Sequence, residues 1–275
     1  MSELKGLWIG PRLSALERAC IQSFLAKGHR FNLYVYDTVD NVPDGCTLLD
    51  AVSIVPRAEV FAHVGGPGDG SLAGFSDLFR YKLLYEIGGW WTDLDVFCLT
   101  ETLPDAPLVI GRQDPALLNG ALLRFPPRHT AMAAAYREAV AKGRSIAWAE
   151  IGPELLTRYV AAGTIVATVL PPPVLYPLHF TQFWAVFDPR RTAHAAATMR
   201  GSACLHLWNE MIRRHGLDKD VLPPEGSLLR NLYEWTIGTD GFSQEYRLAA
   251  NCPPNSLMLE LAPLPRTASG ASASR

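Results

Sequence analysis

The chain has 275 residues, 48% of them hydrophobic and 19% charged, with a formal net charge of -2. That length suits one large α/β domain, and the near-neutral balance excludes the basic surface that phosphate neutralisation demands of a nucleic-acid binder. Five cysteines with no C-x-x-C spacing predict reduced thiols in place of a zinc site or disulfide framework.

The opening MSELKGLWIG lacks a secretory leader, and no run is apolar enough to span a bilayer. The expected location is the cytoplasm, with peripheral attachment to the inner face of the membrane left open. Leu7, Trp8 and Ile9 predict a short strand closed by Gly10 and Pro11, followed by a helix over Ser14–Lys27. A second strand, Phe31–Tyr36, ends at Asp37. Strand, helix, strand is the opening of a parallel sheet, whose ligands bind beyond the C-terminal strand ends. Gly10 and Asp37 are therefore expected on that edge. A short strand is predicted around Thr47–Leu49. His63–Gly74, with five glycines, reads as a mobile surface segment, with a lid as the second reading.

Phe75 to Leu99, FSDLFRYKLLYEIGGWWTDLDVFCL, is the most patterned stretch. Leu78, Phe79, Leu83, Leu84 and Ile87 recur near the helical period, with Ser76 as the expected cap and Asp77 in the first turn. Gly88 and Gly89 supply a helix stop, and Trp90, Trp91 and Thr92 favour a strand. Asp93 and Asp95 should then emerge at the C-terminal end of that strand, with Leu94 facing the opposite way. Two carboxylates on one side of an extended segment make a hard-oxygen site suited to Mg2+ or Mn2+ and a bound diphosphate.

Further strands are predicted at Val96–Leu99, Leu108–Gly111 and Ile165–Leu170, and helices at His129–Lys142, Glu154–Ala161, Met211–Leu217 and Pro224–Trp235. The cluster of Phe180, Phe183, Trp184 and Phe187 reads as core ahead of an acceptor groove. ACLHLWN, residues 203–209, alternates like a strand and leaves His206, Trp208 and Asn209 near a turn. The tail from Pro263 to Arg275 has the composition of a disordered segment, so 1–262 is the expected catalytic domain.

SDLFRYKLLYEIGG followed by DLD resembles the core of the DXD-motif glycosyltransferases, which include α-1,6-mannosyltransferase-like and α-1,4-galactosyltransferase-like enzymes. The resemblance implies a GT-A type fold: a single Rossmann-like α/β domain with a central mixed, mostly parallel sheet flanked by helices. It implies a retaining hexosyltransferase that uses a nucleotide-sugar, a UDP-sugar ahead of a GDP-sugar, with Mn2+ or Mg2+. A glycan, glycolipid or other hydroxyl compound is the acceptor implied. Eukaryotic Golgi members carry a membrane anchor, so its absence here implies a bacterial member, with a polysaccharide or glycolipid as acceptor. Asp93, Asp95 and Arg80 are the catalytic residues it implies. Trp8, Ile9 and Gly10 pass close to the base, Asp77 and Arg80 reach the sugar hydroxyls, and Asn119 faces the donor sugar or acceptor. Asp95 and Asp93 hold the metal, with His206 or Asn209 completing the site. The family usually has a tyrosine at Trp91 and a threonine at Ile151.

In the retaining scheme the departing phosphate oxygen takes the acceptor's proton, so Glu150 and Asp114 are only the nearest candidates for a general base. Two other readings compete. A haloacid-dehalogenase-like phosphatase also uses Asp-x-Asp after an apolar strand, though earlier in the chain. A non-catalytic carbohydrate or nucleotide-sugar binder would use the same aromatic residues without turnover.

Overall fold

The computed structural model describes residues 1–264. β1 (Glu3–Trp8) starts four residues before the strand expected from Leu7, because Lys5 is buried and pairs with Glu3 at 3.2 Å. α1 (Ala15–Ala26) begins at a capping box of Ser14 and Glu17, and β2 (Arg30–Val35) and β3 (Cys46–Asp50) extend the sheet in parallel. This is the strand, helix, strand opening read from the sequence.

α2 (Ala73–Glu86) starts four residues earlier than expected, and Ser76 is not its cap. Ser76 lies inside the helix, where its hydroxyl accepts from Arg80 at 3.2 Å. Gly88, at φ 70°, turns the chain where a side chain would strike the backbone of Pro127, and β4 (Gly89–Thr92) enters the sheet parallel to β1. β5 (Val96–Cys98) leaves it again and pairs elsewhere.

β6 (Val109–Arg112) and β7 (Leu118–Phe125) form a hairpin with a register shift at Ile110/Gly111. α3 (Thr130–Lys142) packs on α2, and α4 (Pro153–Ala161) packs on β7. β8 (Thr168–Leu170) is shorter than the strand predicted from Ile165. α5 (Pro172–Leu175), α6 (Thr192–Thr198), β9 (Cys204–His206), α7 (Asn209–Arg214) and α8 (Leu228–Thr236) follow. The hairpin of β10 (Gln244–Leu248) and β11 (Leu259–Pro263) closes the described chain. Pro263 thus belongs to a strand and not to the tail, and the rest of the tail, 265–275, lies outside the described residues.

The seven-stranded sheet runs β3-β2-β1-β4-β7-β6-β8, with β7 antiparallel to both neighbours and the other pairings parallel. It is a single α/β domain with a central mixed sheet flanked by helices. Trp90 and Trp91 show how the strand period builds it: Trp90 joins one apolar cluster, with α1 and α8, and Trp91 joins the other, with α2, α3 and α4. Phe183 and Phe187 are buried in the first cluster, and Phe180 and Trp184 pack against it partly exposed. The glycine-rich segment lies at the surface, with Val64 to Pro67, Asp69 and Gly70 exposed, and is pinned at points: His63 is buried, and Trp148 lies where a side chain at Gly68 would point.

Candidate functional site

β4 ends at Thr92, beside β1, and the next residues carry both carboxylates. The Asp93 N–H donates to the Ala121 carbonyl of β7 at 2.7 Å, which fixes the backbone at the strand exit. Leu94 turns away and is buried against Gly6 of β1. Asp93 Oδ1 accepts from the Trp91 indole at 2.9 Å and forms an ion pair with the Arg80 guanidinium at 3.0 Å. Arg80 is 4% exposed, stacks over the Trp91 ring at 5.2 Å and also reaches Asp77 at 3.4 Å. One buried guanidinium therefore serves two acids, and Trp91, in the usual tyrosine position, supplies both a platform and a donor.

The second carboxylate depends on a distant segment. β9 pairs antiparallel with β5, which places His206 opposite Val96, and its Nε2 lies 3.1 Å from Asp95 Oδ2. The same oxygen accepts the Asn209 N–H at 2.8 Å. That N–H is aimed by Trp208, which adopts a left-handed conformation at φ 55°, ψ 54°. Such a conformation costs a non-glycine residue about 1–3 kcal/mol, so the surrounding packing holds it in place. The His206 ring lies 3.9 Å from that of Trp208 and 5.5 Å from that of Tyr176.

The two environments push the acids in opposite directions. Burial raises Asp93, against the pull of Arg80 and with the repulsion of Asp95. Burial also acts upward on Asp95, but the charge of His206 and the hydrogen bonds from His206 and Asn209 outweigh it and hold Asp95 below the usual carboxylate range. Asp77 is pushed up to about 6, chiefly by burial, against the pull of Arg80 and with the repulsion of Asp93.

Each member of the acid pair has one oxygen engaged and one free. Asp93 Oδ2 and Asp95 Oδ1 accept no hydrogen bond from another described residue. Trp8 Nε1, His206 Nδ1 and Asn209 Oδ1 are buried with no partner among the described residues. Among the described residues no three His, Cys, Asp or Glu side chains form a ready-made metal cage. The donor set instead fits a hard divalent ion held by one or two carboxylates and completed by phosphate oxygens and water, the usual pattern for Mg2+. His206 contacts Asp95 through Nε2 and so orients that carboxylate in this structure, with Nδ1 left without a hydrogen bond among the described residues.

The other expected site residues are distributed unevenly. Trp8 ends β1, with Lys219 Nζ 5.9 Å from the centre of its ring, and Gly10 folds back beneath the indole at φ 146°. Ile9 packs on the opposite side of the sheet. Asn119 is buried, but its amide is engaged: it donates to Gln113 at 2.8 Å and accepts from the Ala121 N–H at 2.7 Å. Asp37 is exposed and pairs with Arg57 at 2.8 Å. Asp114 accepts the N–H groups of its own turn from Ala116 and Leu117, and Glu150 pairs with Lys142. Neither contacts Asp93, Asp95 or Arg80.

Two glycines of the site were invisible as such in the sequence. A side chain at Gly120 would sit 2.7 Å from Arg80 Nη1, and one at Gly152 would sit 2.5 Å from Asp77 Oδ2. The Asn-Gly and Gly-Pro pairs were the only local signals.

Residues 71–115 match the glycosyltransferase sugar-binding region containing DXD motif, and residues 124–235 match the alpha 1,4-glycosyltransferase conserved region. The first holds Asp77, Arg80, Asp93 and Asp95, and the second holds His206 and Asn209; Trp8, Gly10 and Asn119 lie outside both. Lactosylceramide 4-alpha-galactosyltransferase of Homo sapiens is 29% identical over 167 residues, covering 56% of this chain and 47% of that protein. The Rattus norvegicus protein of the same name is 29% identical over 146 residues, covering 49% and 40%. The chain thus spans about half the length of the curated relatives it matches. Among solved structures, PaToxG Glycosyltransferase covers 84% of each chain at 12% identity and a TM-score of 0.44. Neither matched segment lends support to the phosphatase reading. Among the described residues no helix is long and apolar enough to cross a membrane.

Proposed function

We propose that this chain, a member of the DXD-motif glycosyltransferases with a GT-A-like fold, transfers a hexose from a nucleotide-sugar to a hydroxyl acceptor with retention of anomeric configuration. The observation that carries the reading is the pair of free oxygens, Asp93 Oδ2 and Asp95 Oδ1, at the exit of a parallel strand beside β1. Asp95, kept anionic by His206 and the Asn209 N–H, is the principal holder of Mn2+ or Mg2+, and Asp93 assists it. The ion, when bound with the donor, neutralises charge that develops on the diphosphate as it departs.

Arg80 orients Asp93 and, with Asp77, faces the sugar hydroxyls from the buried side. Trp8 and Gly10 close the base end of the site, with the free Trp8 Nε1 as a donor. In the transfer the acceptor oxygen bonds to the anomeric carbon as the bond to phosphate breaks, and the departing phosphate oxygen takes the acceptor's proton. That route needs no protein base, consistent with the engaged state of Asp114 and Glu150. A glycolipid or polysaccharide hydroxyl is the acceptor we favour, since the curated relatives carry lactosylceramide in their names.

A thermal-shift screen of UDP-, GDP- and CMP-sugars with Mn2+ tests the donor, because a ligand that binds the native state raises its melting temperature. A UDP-sugar should raise it, and less so in EDTA. No shift with any nucleotide-sugar, together with no sugar transfer or donor hydrolysis, would sink the reading.

A further inference from the structure

Tyr176 stands between the two halves of the site and touches the supports of both. Its ring is 1% exposed. Its hydroxyl accepts the Leu122 N–H at 3.3 Å and donates to the Asn119 carbonyl at 3.5 Å, so it grips β7 on either side of Ala121, whose carbonyl holds the Asp93 N–H. One side of the ring fills the space left by Gly111, where an added side chain would lie 2.4 Å away. The ring also packs on His206 at 5.5 Å and Trp208 at 6.2 Å, the residues that hold and aim the partners of Asp95. Its approach is fixed from behind: the Tyr176 N–H bonds to Pro172 at 2.7 Å, and the Ala203 N–H at the entry to β9 bonds to Val174 at 2.7 Å.

These contacts form one continuous path. β7 carries the backbone of Asp93, β9 carries the histidine on Asp95, and no ladder hydrogen bond joins β7 to β9, which belong to separate sheets. The aromatic ring fills the gap between them. His206 has no hydrogen bond at Nδ1, so packing by Trp208 and Tyr176 keeps its Nε2 turned toward Asp95. A metal site normally locks such a ring with a hydrogen bond to its second nitrogen, and here aromatic packing takes that place.

We propose that Tyr176 is a positioning residue for the carboxylate pair: its ring, packed between β7 and β9, holds His206 against Asp95. The inference rests on the proposed metal-dependent transfer, in which Asp95 and Asp93 act together.

The test compares four variants by Mn2+ affinity, measured by electron paramagnetic resonance with and without uridine diphosphate, alongside melting temperature. Tyr176→Leu should weaken Mn2+ binding by about tenfold or more, the scale expected for an outer partner of a metal ligand. Tyr176→Phe keeps the ring and should restore affinity to near the wild-type value. Phe24→Leu, a core change in a different part of the first cluster, should lower the melting temperature and leave Mn2+ binding alone. His206→Ala should weaken Mn2+ binding at least as much as Tyr176→Leu. Wild-type Mn2+ affinity in a folded Tyr176→Leu protein, with His206→Ala impaired, would overturn the role of Tyr176 and spare the site. A loss no larger than that of Phe24→Leu, or a Tyr176→Phe protein as weak as Tyr176→Leu, would also overturn it. Failure of the wild-type protein to bind Mn2+ even with uridine diphosphate would overturn the reading of the site and this inference with it.

Discussion

Asp93 is held by side chains of its own stretch, Arg80 at 3.0 Å and Trp91 at 2.9 Å, whereas Asp95 is held by His206 and the Asn209 N–H across 111 and 114 residues of chain. The first is raised by burial, and the second is lowered by its partners. Two like acids this close resist ionising together, and giving one of them a protonatable partner and a backbone N–H separates their roles. Asp95 is held as an anion by its partners, while Asp93 and Asp77 share one guanidinium and are raised by burial, which makes them sensitive to pH. The local half is thus responsive and the long-range half is fixed.

The contrast can be broken most severely at its fixed half. Asp95→Ala should reduce sugar transfer by about 10³-fold or more at saturating Mn2+, as expected when a charge-stabilising group is removed from the reacting centre. The protein should remain folded by circular dichroism, and transfer at wild-type rates in EDTA would refute the role.

Arg80→Met breaks the responsive half. It leaves Asp77 and Asp93 without their counterion, at a cost of about 3–5 kcal/mol in stability, nearer the lower figure because Asp93 is partly exposed. Urea unfolding at pH 7 measures this, and the loss should shrink at pH 5, where the two acids take up protons more readily.

Asp77→Asn sharpens the comparison through pH. The folded value of about 6 lies above the ordinary 3.8, so the fold binds the protonated acid better. This contribution to stability is full below about pH 4 and is lost as pH rises through 6, a total of up to about 3 kcal/mol. The asparagine variant should flatten the stability profile between pH 4 and 7. If ionised Asp77 receives sugar hydroxyls, wild-type donor affinity should fall as pH drops below about 6, and the variant should lose that inflection.

The smallest effect is expected from Trp91→Phe, which removes the indole donor to Asp93 Oδ1 and leaves the Arg80 ion pair. The cost should be about 1 kcal/mol, seen as a several-fold loss in donor affinity with Mn2+ affinity unchanged. An equal loss of metal affinity would mean that the two carboxylates are not held independently.

Much of the local half was legible because its determinants lie within a few turns of chain. The helical period of Leu78 to Leu84, the glycine stop and the strand formers Trp90 to Thr92 specify a helix, a turn and a strand whose order delivers Asp93 and Asp95 to an edge. The start of α2 was misread at Ser76 because capping chemistry looks alike at any helix start, and the serine is engaged by Arg80 one turn on. Asn119 shows the opposite limit. Its residue type suits a ligand contact, but Gln113 and the Ala121 N–H already occupy its amide, and six residues of hairpin decide that.

The sequence by itself determined an α/β domain and the acid pair at a strand exit, since these follow from periodicity and from residue types near one another. Only the tertiary structure decided which acid is anchored. The pairing of β9 with β5, the left-handed turn at Trp208, the tyrosine wedged between two sheets and the bare glycines beside Arg80 and Asp77 come from contacts of long sequence separation. Such contacts form only when the chain closes on itself, and no local propensity encodes them.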